Sequence, residues 1–468
     1  MADQYEMTIG GEGVTGEGDF EVLNPATGRP VAVAPDASRE QLDAAMSAAQ
    51  DAFGQWRRDD VVRRSALARA ADAIDAAVDD LAPILTQEQG KPIARARGEV
   101  AVTANWFRYF AKIDLDPEVI QDDASGYADV VRRPMGVVAA ITPWNVPLGL
   151  AAWKMAPALR SGNTVVVKPS PYTPLSTLRL VAVLADIFPP GVLNAVSGRD
   201  DLGRWMTSHT VPRKVSFTGS TQTGLAVAMA SIKDFKRFTL EMGGNDPAII
   251  LDDVDVDEIA DKLFWSAFAN SGQVCCAVKR VYVPEALRSS LVDALADRAR
   301  TVVVGNGMDP ATQLGPLNND VQRAIVSRLV EEARTSGARI VTGGSALPGD
   351  GYFYEPTIVT DVDAGVGLVD REQFGPALPI IGYRDVEEVL ASTNAGPFGL
   401  SGSVWGTDQD RMARVSSEMD CGTVWMNTHG VVHPHQPFGG VKSSGMGLEN
   451  GRWGIESFTE AQTRYWAR

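Results

Sequence analysis

Val137-Val138-Ala139-Ala140-Ile141-Thr142-Pro143-Trp144-Asn145-Val146-Pro147 is an apolar run that stops in a proline-punctuated turn. Five apolar residues without polar alternation predict a strand covered on both faces, the pattern of a parallel sheet. The same rhythm recurs at 164–167, 192–196 and 214–217, with helical patterns at 150–160, 175–187 and 202–208 between the runs. Strand and helix in alternation predict a doubly wound α/β sheet. A second alternation opens at Ala248-Ile249-Ile250-Leu251. It continues through helices at 286–301, 321–335 and 386–392 and strands at 340–341, 353–359 and 378–383. Two doubly wound α/β domains meeting near 241–247 are expected.

Upstream, the segment to residue 35 is Gly-rich and alternating, with Asn24-Pro25-Ala26-Thr27-Gly28 as a turn. Ser38, with Glu40 close behind, predicts a helix start. Ala-rich helices follow to residue 80 and over 81–89, where Gly90-Lys91-Pro92 breaks the run, and another spans 94–113. Residues 117–133 read as a polar hairpin, which is poor core material and is expected to project and pair with something. The tail beyond 456 is extended in character, and neither a fixed-period repeat nor a low-complexity tract occurs.

The bulk numbers narrow the function classes. A chain of 468 residues with 44% hydrophobic and 22% charged residues buries a large core in two or more domains. A net charge of -16 argues against a nucleic-acid surface, which requires clustered Lys and Arg. Three cysteines give no disulfide framework and point to a reducing compartment. The start, Met1-Ala-Asp-Gln-Tyr-Glu, shows no secretory pattern, and no apolar run is long enough to span a bilayer. A cytoplasmic protein without nucleic-acid or membrane partners is expected.

Five stretches carry chemistry. In Ser271-Gly272-Gln273-Val274-Cys275-Cys276-Ala277, two cysteines sit in a small-residue loop between a helix at 256–270 and a strand at 278–283. A thiolate attacks carbonyls if its pKa is depressed or a base is near. A buried structural cysteine gives the same pattern, and Cys276 and Cys421 fit that reading better. In Leu240-Glu241-Met242-Gly243-Gly244, a carboxylate between an apolar strand and two glycines can be desolvated toward the range of a general base, or can be a solvated loop residue. Phe217-Thr218-Gly219-Ser220-Thr221-Gln222-Thr223-Gly224 is a strand-to-helix turn whose amides suit a pyrophosphate, or simply a tight turn. Its spacing is not the GxGxxG dinucleotide fingerprint. Asn145, between prolines at a strand end, can direct an amide at a developing oxyanion or serve as a turn former. Val167-Lys168-Pro169-Ser170-Pro171 puts a lysine at a strand end, suited to ribose or phosphate, although solvated lysines are commoner.

These stretches, with Glu372-Gln373-Phe374-Gly375-Pro376 and Pro437-Phe438-Gly439-Gly440-Val441-Lys442-Ser443-Ser444-Gly445, closely resemble the aldehyde dehydrogenase superfamily in motif order from about Asn24 onward. The resemblance implies NAD(P)-dependent oxidation of an aldehyde to a carboxylic acid. It assigns Cys275 as the nucleophile that forms a thiohemiacetal and then a thioester, and Glu241 as the base that activates water. Asn145 and the Cys275 N–H would hold the oxyanion. It places the two riboses on Lys168 and Glu372, the pyrophosphate on Ser220, and Trp144 and Phe374 along the cofactor site. Thr142, Ser170, Gly219 and Gly224 complete the expected cofactor-binding set. It implies a cofactor-binding domain (1–115 and 135–241), a catalytic domain (242–443) and a small β oligomerisation hairpin (116–134 and 444–468), assembled as a homodimer or homotetramer.

Two departures bear on detail. Pro171 stands where many NAD-preferring members carry a glutamate that would repel a 2′-phosphate, so NADP is not excluded, but no replacement cation clusters there and NAD is the expected cofactor. Arg371 stands where an acidic residue is common, with no consequence that follows from it. Val146 and Val432 are smaller than the aromatics many members place there, and with Leu150, Trp153, Val274 and the 428–436 loop they predict an apolar tunnel for medium-chain or aromatic aldehydes. His429, His433 and His435 lie in that loop without a cysteine or carboxylate companion, and no metal is expected. A CoA-acylating dehydrogenase and a catalytically inactive scaffold of the same fold are the alternatives. Glu241 speaks against the first, and intact Cys275, Glu241 and Asn145 speak against the second.

Overall fold

The computed structural model describes residues 5–468, so the first four residues of the N-terminal stretch read above lie outside the described residues. The apolar run forms the strand Val137–Ile141, parallel to Thr164–Lys168 on one side and Lys214–Thr218 on the other. Val137, Val138, Ala139 and Ala140 are completely buried, as a strand without polar alternation requires. The sheet has eight strands in the order 445–446, 237–241, 214–218, 137–141, 164–168, 193–195, 7–9 and 12–14. Its five central strands are mutually parallel, and antiparallel strands close both edges. Chain order diverges between Val137–Ile141 and Lys214–Thr218, which makes the carboxyl ends of those strands the topological switch point where doubly wound folds bind ligands.

The second alternation forms a seven-stranded sheet in the order 339–342, 357–360, 377–383, 278–284, 246–250, 401–405 and 423–426, parallel except at the first pair. Trp405 is fully buried in its core. The polar hairpin is real: Glu118–Asp123 pairs antiparallel with Gly126–Pro134, and the tail Thr459–Ala467 pairs along the full length of the latter. Between the sheets and the tail, Gly445–Met446 adds an antiparallel strand to Leu240 and Glu241, and the helix Gly451–Glu456 buries Ile455 in the first core. A Gly-Met pair carries no strand pattern, so this edge was invisible in the sequence.

Local details differ from expectation for physical reasons. Ser38 does cap the helix Arg39–Trp56, but its reciprocal partner is Gln41, whose side chain accepts from the Ser38 N–H. Only the third helical residue reaches back to the cap, and Glu40 is the second. The helix expected at 256–270 ends at Phe268 and gives way to a tight turn, Ala269–Gly272. The strand expected at 353–359 is confined to Thr357–Thr360.

Candidate active site

The carboxyl ends of the first sheet face the amino ends of the second across a cavity of about 280 Å³. From the first sheet come Trp144 and Asn145, which follow Val137–Ile141, together with Gly219 and Ser220, which follow Lys214–Thr218. From the second come Cys275, which precedes Val278–Pro284, and Glu372 and Phe374, which precede Ala377–Tyr383. With Leu150, which also lines it, eight of the residues singled out in the sequence thus share one cavity.

The Cys275 turn is held in an unusual backbone conformation. Asn270, Ser271 and Gly272 have φ of 53°, 57° and 74°, three left-handed residues in succession. Such strain persists only where the surroundings impose it. Asn270 Nδ2 donates to Asn145 O at 3.1 Å, Ser271 Oγ donates to Gly315 O at 2.7 Å, and Gln273 Oε1 accepts from Asn318 N–H at 2.8 Å. A Cβ at Gly272 would run into the Gly375 backbone, so this position must be glycine. Cys275 is partly accessible and Cys276 is buried. The Cys276 thiol donates to Cys275 and holds its pKa below the usual thiol value, with further help from the Lys279 ammonium against the opposing effect of burial. Sharing its proton and being buried push Cys276 well up. The two sulfurs are therefore distinguished by accessibility and by the opposite directions in which their surroundings shift them.

Asn145 is 3% exposed, and its side-chain Nδ2 donates to Gln273 O at 3.0 Å, which aims the amide at the nucleophile turn. Its backbone carbonyl accepts from Lys91 Nζ at 3.0 Å, and Lys91 is itself paired with buried Glu99. Glu99 also accepts from the N–H groups of Leu148 and Gly149, the first turn of the helix Pro147–Arg160. This places a carboxylate at the positive end of that helix. Lys91 and Glu99 went unremarked in the sequence beyond the turn at 90–92.

Glu241 does not line the cavity. It is 4% exposed, and neither carboxylate oxygen has a hydrogen-bond partner among the described residues. Burial raises its pKa well above the usual carboxylate value, and the Glu449 carboxylate raises it further. Its burial comes from the C-terminal segment: Gly445 pairs with Glu241, Met242 N–H donates to Ser444 O at 2.9 Å, and Gly439 packs against the carboxylate. Behind it, Lys154 Nζ and Glu449 Oε1 form a wholly buried ion pair at 2.7 Å, joined by Ser216 Oγ at 3.0 Å from the same oxygen. This buried pair was also missed in the sequence.

Of the other sequence candidates, Thr142, Lys168, Ser170 and Gly224 surround the cavity without lining it, whereas Ser220, Glu372, Trp144 and Phe374 line it. Thr142 N–H donates to Lys168 O at 3.0 Å, which joins two adjacent strand ends. Lys168 is 5% exposed, and burial lowers its pKa to about 8 against the opposing pull of Asp200 and Asp36. Ser170 Oγ accepts from the Tyr172 N–H. Ser220 caps the helix Thr221–Ile232 through the Thr223 N–H, and Gly224 lies one turn in, against Met242. Glu372 accepts from the Gly244 N–H at 3.1 Å, and a Cβ at Gly243 would stand 2.9 Å from its carboxyl carbon. Trp144 and Phe374 meet edge to face at 5.3 Å between centroids. Two half-buried aromatic rings, a helix N-terminus and two ribose-competent polar groups suit an adenine dinucleotide, and this is the fit expected of NAD(P).

On the other side of Cys275 the lining is apolar. Trp153 stacks on Trp106 at 5.7 Å and meets Phe438 edge to face at 5.5 Å. Trp425, Val274 and Val432 join the same cluster. The three loop histidines separate on folding. His429 is buried, bonded to Ser403 Oγ at 2.9 Å and Cys276 O at 2.8 Å, and burial lowers its pKa to about 3. His433 and His435 stack on each other at 5.5 Å, away from it.

A partly accessible cysteine at a cavity lined by two aromatic rings and a helix N-terminus, with a buried amide donor beside it and a desolvated carboxylate behind, is an arrangement suited to a cofactor-dependent oxidoreductase. The chain belongs to the aldehyde dehydrogenase family, whose model matches residues 14–464. It is 37% identical to a phenylacetaldehyde dehydrogenase of Pseudomonas fluorescens over 98% of this chain and 95% of that one. It is 36% identical to an NADP+-dependent succinate-semialdehyde dehydrogenase of Escherichia coli over 94% and 93%. The solved NAD+ complex of an aldehyde dehydrogenase from Bacillus cereus superposes with a TM-score of 0.96 at 35% identity, covering 99% of this chain and 97% of that one. The protein is an NAD(P)-dependent aldehyde dehydrogenase.

Proposed function

We propose that the protein oxidises an aromatic or medium-chain aldehyde to its carboxylic acid through a thioester on Cys275, with water as the final acceptor. The observation that carries this reading is the shared cavity of Cys275, Asn145, Trp144, Ser220, Glu372 and Phe374. Trp144 and Phe374 would flank the cofactor's ring systems, Glu372 and Lys168 would hold its riboses, and Ser220 at the helix N-terminus would meet its pyrophosphate. Bound NAD(P)+ supplies a hydride acceptor. The Cys275 thiolate forms a C–S bond to the aldehyde carbon, and the carbonyl π electrons move to oxygen. Asn145 Nδ2 and the Cys275 N–H donate to that oxyanion. Once the carbon has been oxidised to a thioester, Glu241 takes a proton from water, water attacks, and the C–S bond breaks to return the thiolate. A buried carboxylate without a hydrogen-bond partner suits this task, because its raised pKa makes it a stronger base than a solvated glutamate.

The Trp106, Trp153 and Phe438 stack favours aromatic substrates, since a ring can pack edge to face on it. NAD is the favoured cofactor: Pro171 brings no carboxylate, but Asp200 and Asp36 supply negative charge around Lys168 that a 2′-phosphate would meet. A homodimer or homotetramer is supported by exposed Leu225, Met229 and Ile232 on the helix Thr221–Ile232, with Phe235 beyond its end. None of the described helices is long and apolar enough to cross a membrane, and the three free cysteines fit a reducing cytoplasm. The proposed domains are cofactor-binding (1–115, 135–241), catalytic (242–443) and oligomerisation (116–134, 444–468).

A panel of aromatic, aliphatic and semialdehyde substrates, each with NAD and NADP, tests the reading with Cys275→Ala as the control. That variant is expected to bind cofactor and to produce no NADH. Turnover surviving in it, or stimulation of the wild type by CoA, would contradict the assignment.

A further inference from the structure

Lys279 is the second residue of the strand Val278–Pro284, four residues after the nucleophile, and its side chain is 1% exposed. Its ammonium donates to Val274 O at 2.6 Å and Cys275 O at 3.2 Å. It also stands 3.6 Å from Glu372 Oε1 and 5.4 Å from the Phe374 ring centroid. A buried ammonium is costly unless its donors are used, and here every contact is to the nucleophile turn or to residues of the cofactor side.

The Val274 carbonyl and the Cys275 N–H belong to one planar trans peptide and point in opposite directions. Anchoring the carbonyl therefore fixes the direction of the N–H. Positive charge on the carbonyl oxygen also polarises the peptide and strengthens the N–H as a donor.

We propose that Lys279 is a positioning residue for the reaction. It sets the Cys275 N–H as an oxyanion donor and ties the nucleophile turn to Glu372, so that cofactor seating and thiol reactivity are coupled. This rests on the nucleophile role proposed for Cys275. The titratable and charged groups facing Lys279 are Glu372, Asp246, His429 and the Cys275–Cys276 pair. Asp246 and Glu372 oppose ionisation of Cys275, Lys279 favours it, and His429 is neutral near pH 7. Removing the ammonium leaves the two carboxylates opposed only by the hydrogen bond from the Cys276 thiol.

The test uses full-length Lys279→Met and Lys279→Gln, with inactivation by iodoacetamide followed against pH in the absence of cofactor. In both variants the midpoint is expected to move up by about one pH unit, the effect of losing one close opposite charge. The kcat is expected to fall about tenfold or more with the weakened oxyanion donor. The KM for NAD should rise more in Lys279→Met than in Lys279→Gln, whose amide can still donate to Val274 O. An unshifted pH profile with kcat within about twofold of wild type and only a lower melting temperature would reduce Lys279 to a structural residue. If Lys279→Met does not fold, Lys279→Gln carries the same comparison. Failure of iodoacetamide to inactivate the wild type would overturn the Cys275 reading and this inference together, whereas wild-type inactivation with unshifted variants would overturn this inference alone.

Discussion

Glu241→Gln keeps the volume of the side chain and removes the base. The carboxylate oxygens of Glu241 have no hydrogen-bond partner among the described residues, so the exchange breaks no bond that holds the site together. Acylation of Cys275 should survive, because the thiol is already favoured as thiolate by Cys276 and Lys279. Hydrolysis should slow by about 10²–10⁴-fold, the usual contribution of a positioned base, or about 2.7–5.4 kcal/mol of barrier. Rapid mixing of concentrated enzyme with NAD and an excess of aldehyde should then show a burst of NADH absorbance followed by a strongly reduced steady rate. The wild-type acid limb, where Glu241 takes up its proton, should vanish from the pH–rate profile of the variant. Stability should move the other way. An acid whose folded pKa lies above its unfolded one stabilises less as pH rises from the unfolded value through the folded one, by about 1.4 kcal/mol per unit of difference. Burial raises Glu241 in this sense, so the melting temperature of the variant relative to wild type should climb as pH rises above the ordinary carboxylate range. Loss of the burst itself would refute the reasoning, because Glu241 would then be needed to form the thioester.

Gly243→Ala places a methyl group against the Glu372 carboxylate, which must swing away from the Gly244 N–H. Losing that charged hydrogen bond, worth about 1.5–3 kcal/mol, should weaken NAD binding by about 10- to 100-fold in calorimetric titration, and an unchanged Kd would remove Glu372 from the cofactor site. The double change Leu225→Arg with Met229→Arg charges the exposed apolar face of the helix Thr221–Ile232. Sedimentation should show single chains, and an oligomer unaffected by the two arginines would place the interface elsewhere.

The parts of the site that were legible in the sequence lie within a few residues of a strand end, where a fixed loop dictates the chemistry. Asn145 follows Val137–Ile141 by four residues, and Ser220 caps the next helix directly. The parts that were not legible are contacts between distant segments. Lys154 meets Glu449 across 295 residues, and Lys91 reaches the Asn145 carbonyl across 54. The three histidines of the 428–436 loop read as one group, yet Asn427, at φ 56°, turns the chain so that His429 points inward while His433 and His435 do not. Lys279 is the sharpest case, because it stood four residues from the nucleophile in plain sight. A lysine at the start of a strand is ordinarily solvated. Here its backbone carbonyl accepts from Gln373 Nε2, 94 residues away, and the same segment brings Glu372 over its ammonium. The residue types near Cys275 thus name the reaction, but whether a neighbouring charge is solvated or confined is decided by the loop leading into the adjacent strand Ala377–Tyr383, about a hundred residues further along the chain. That confinement is what converts an ordinary lysine into a group able to act on the thiol.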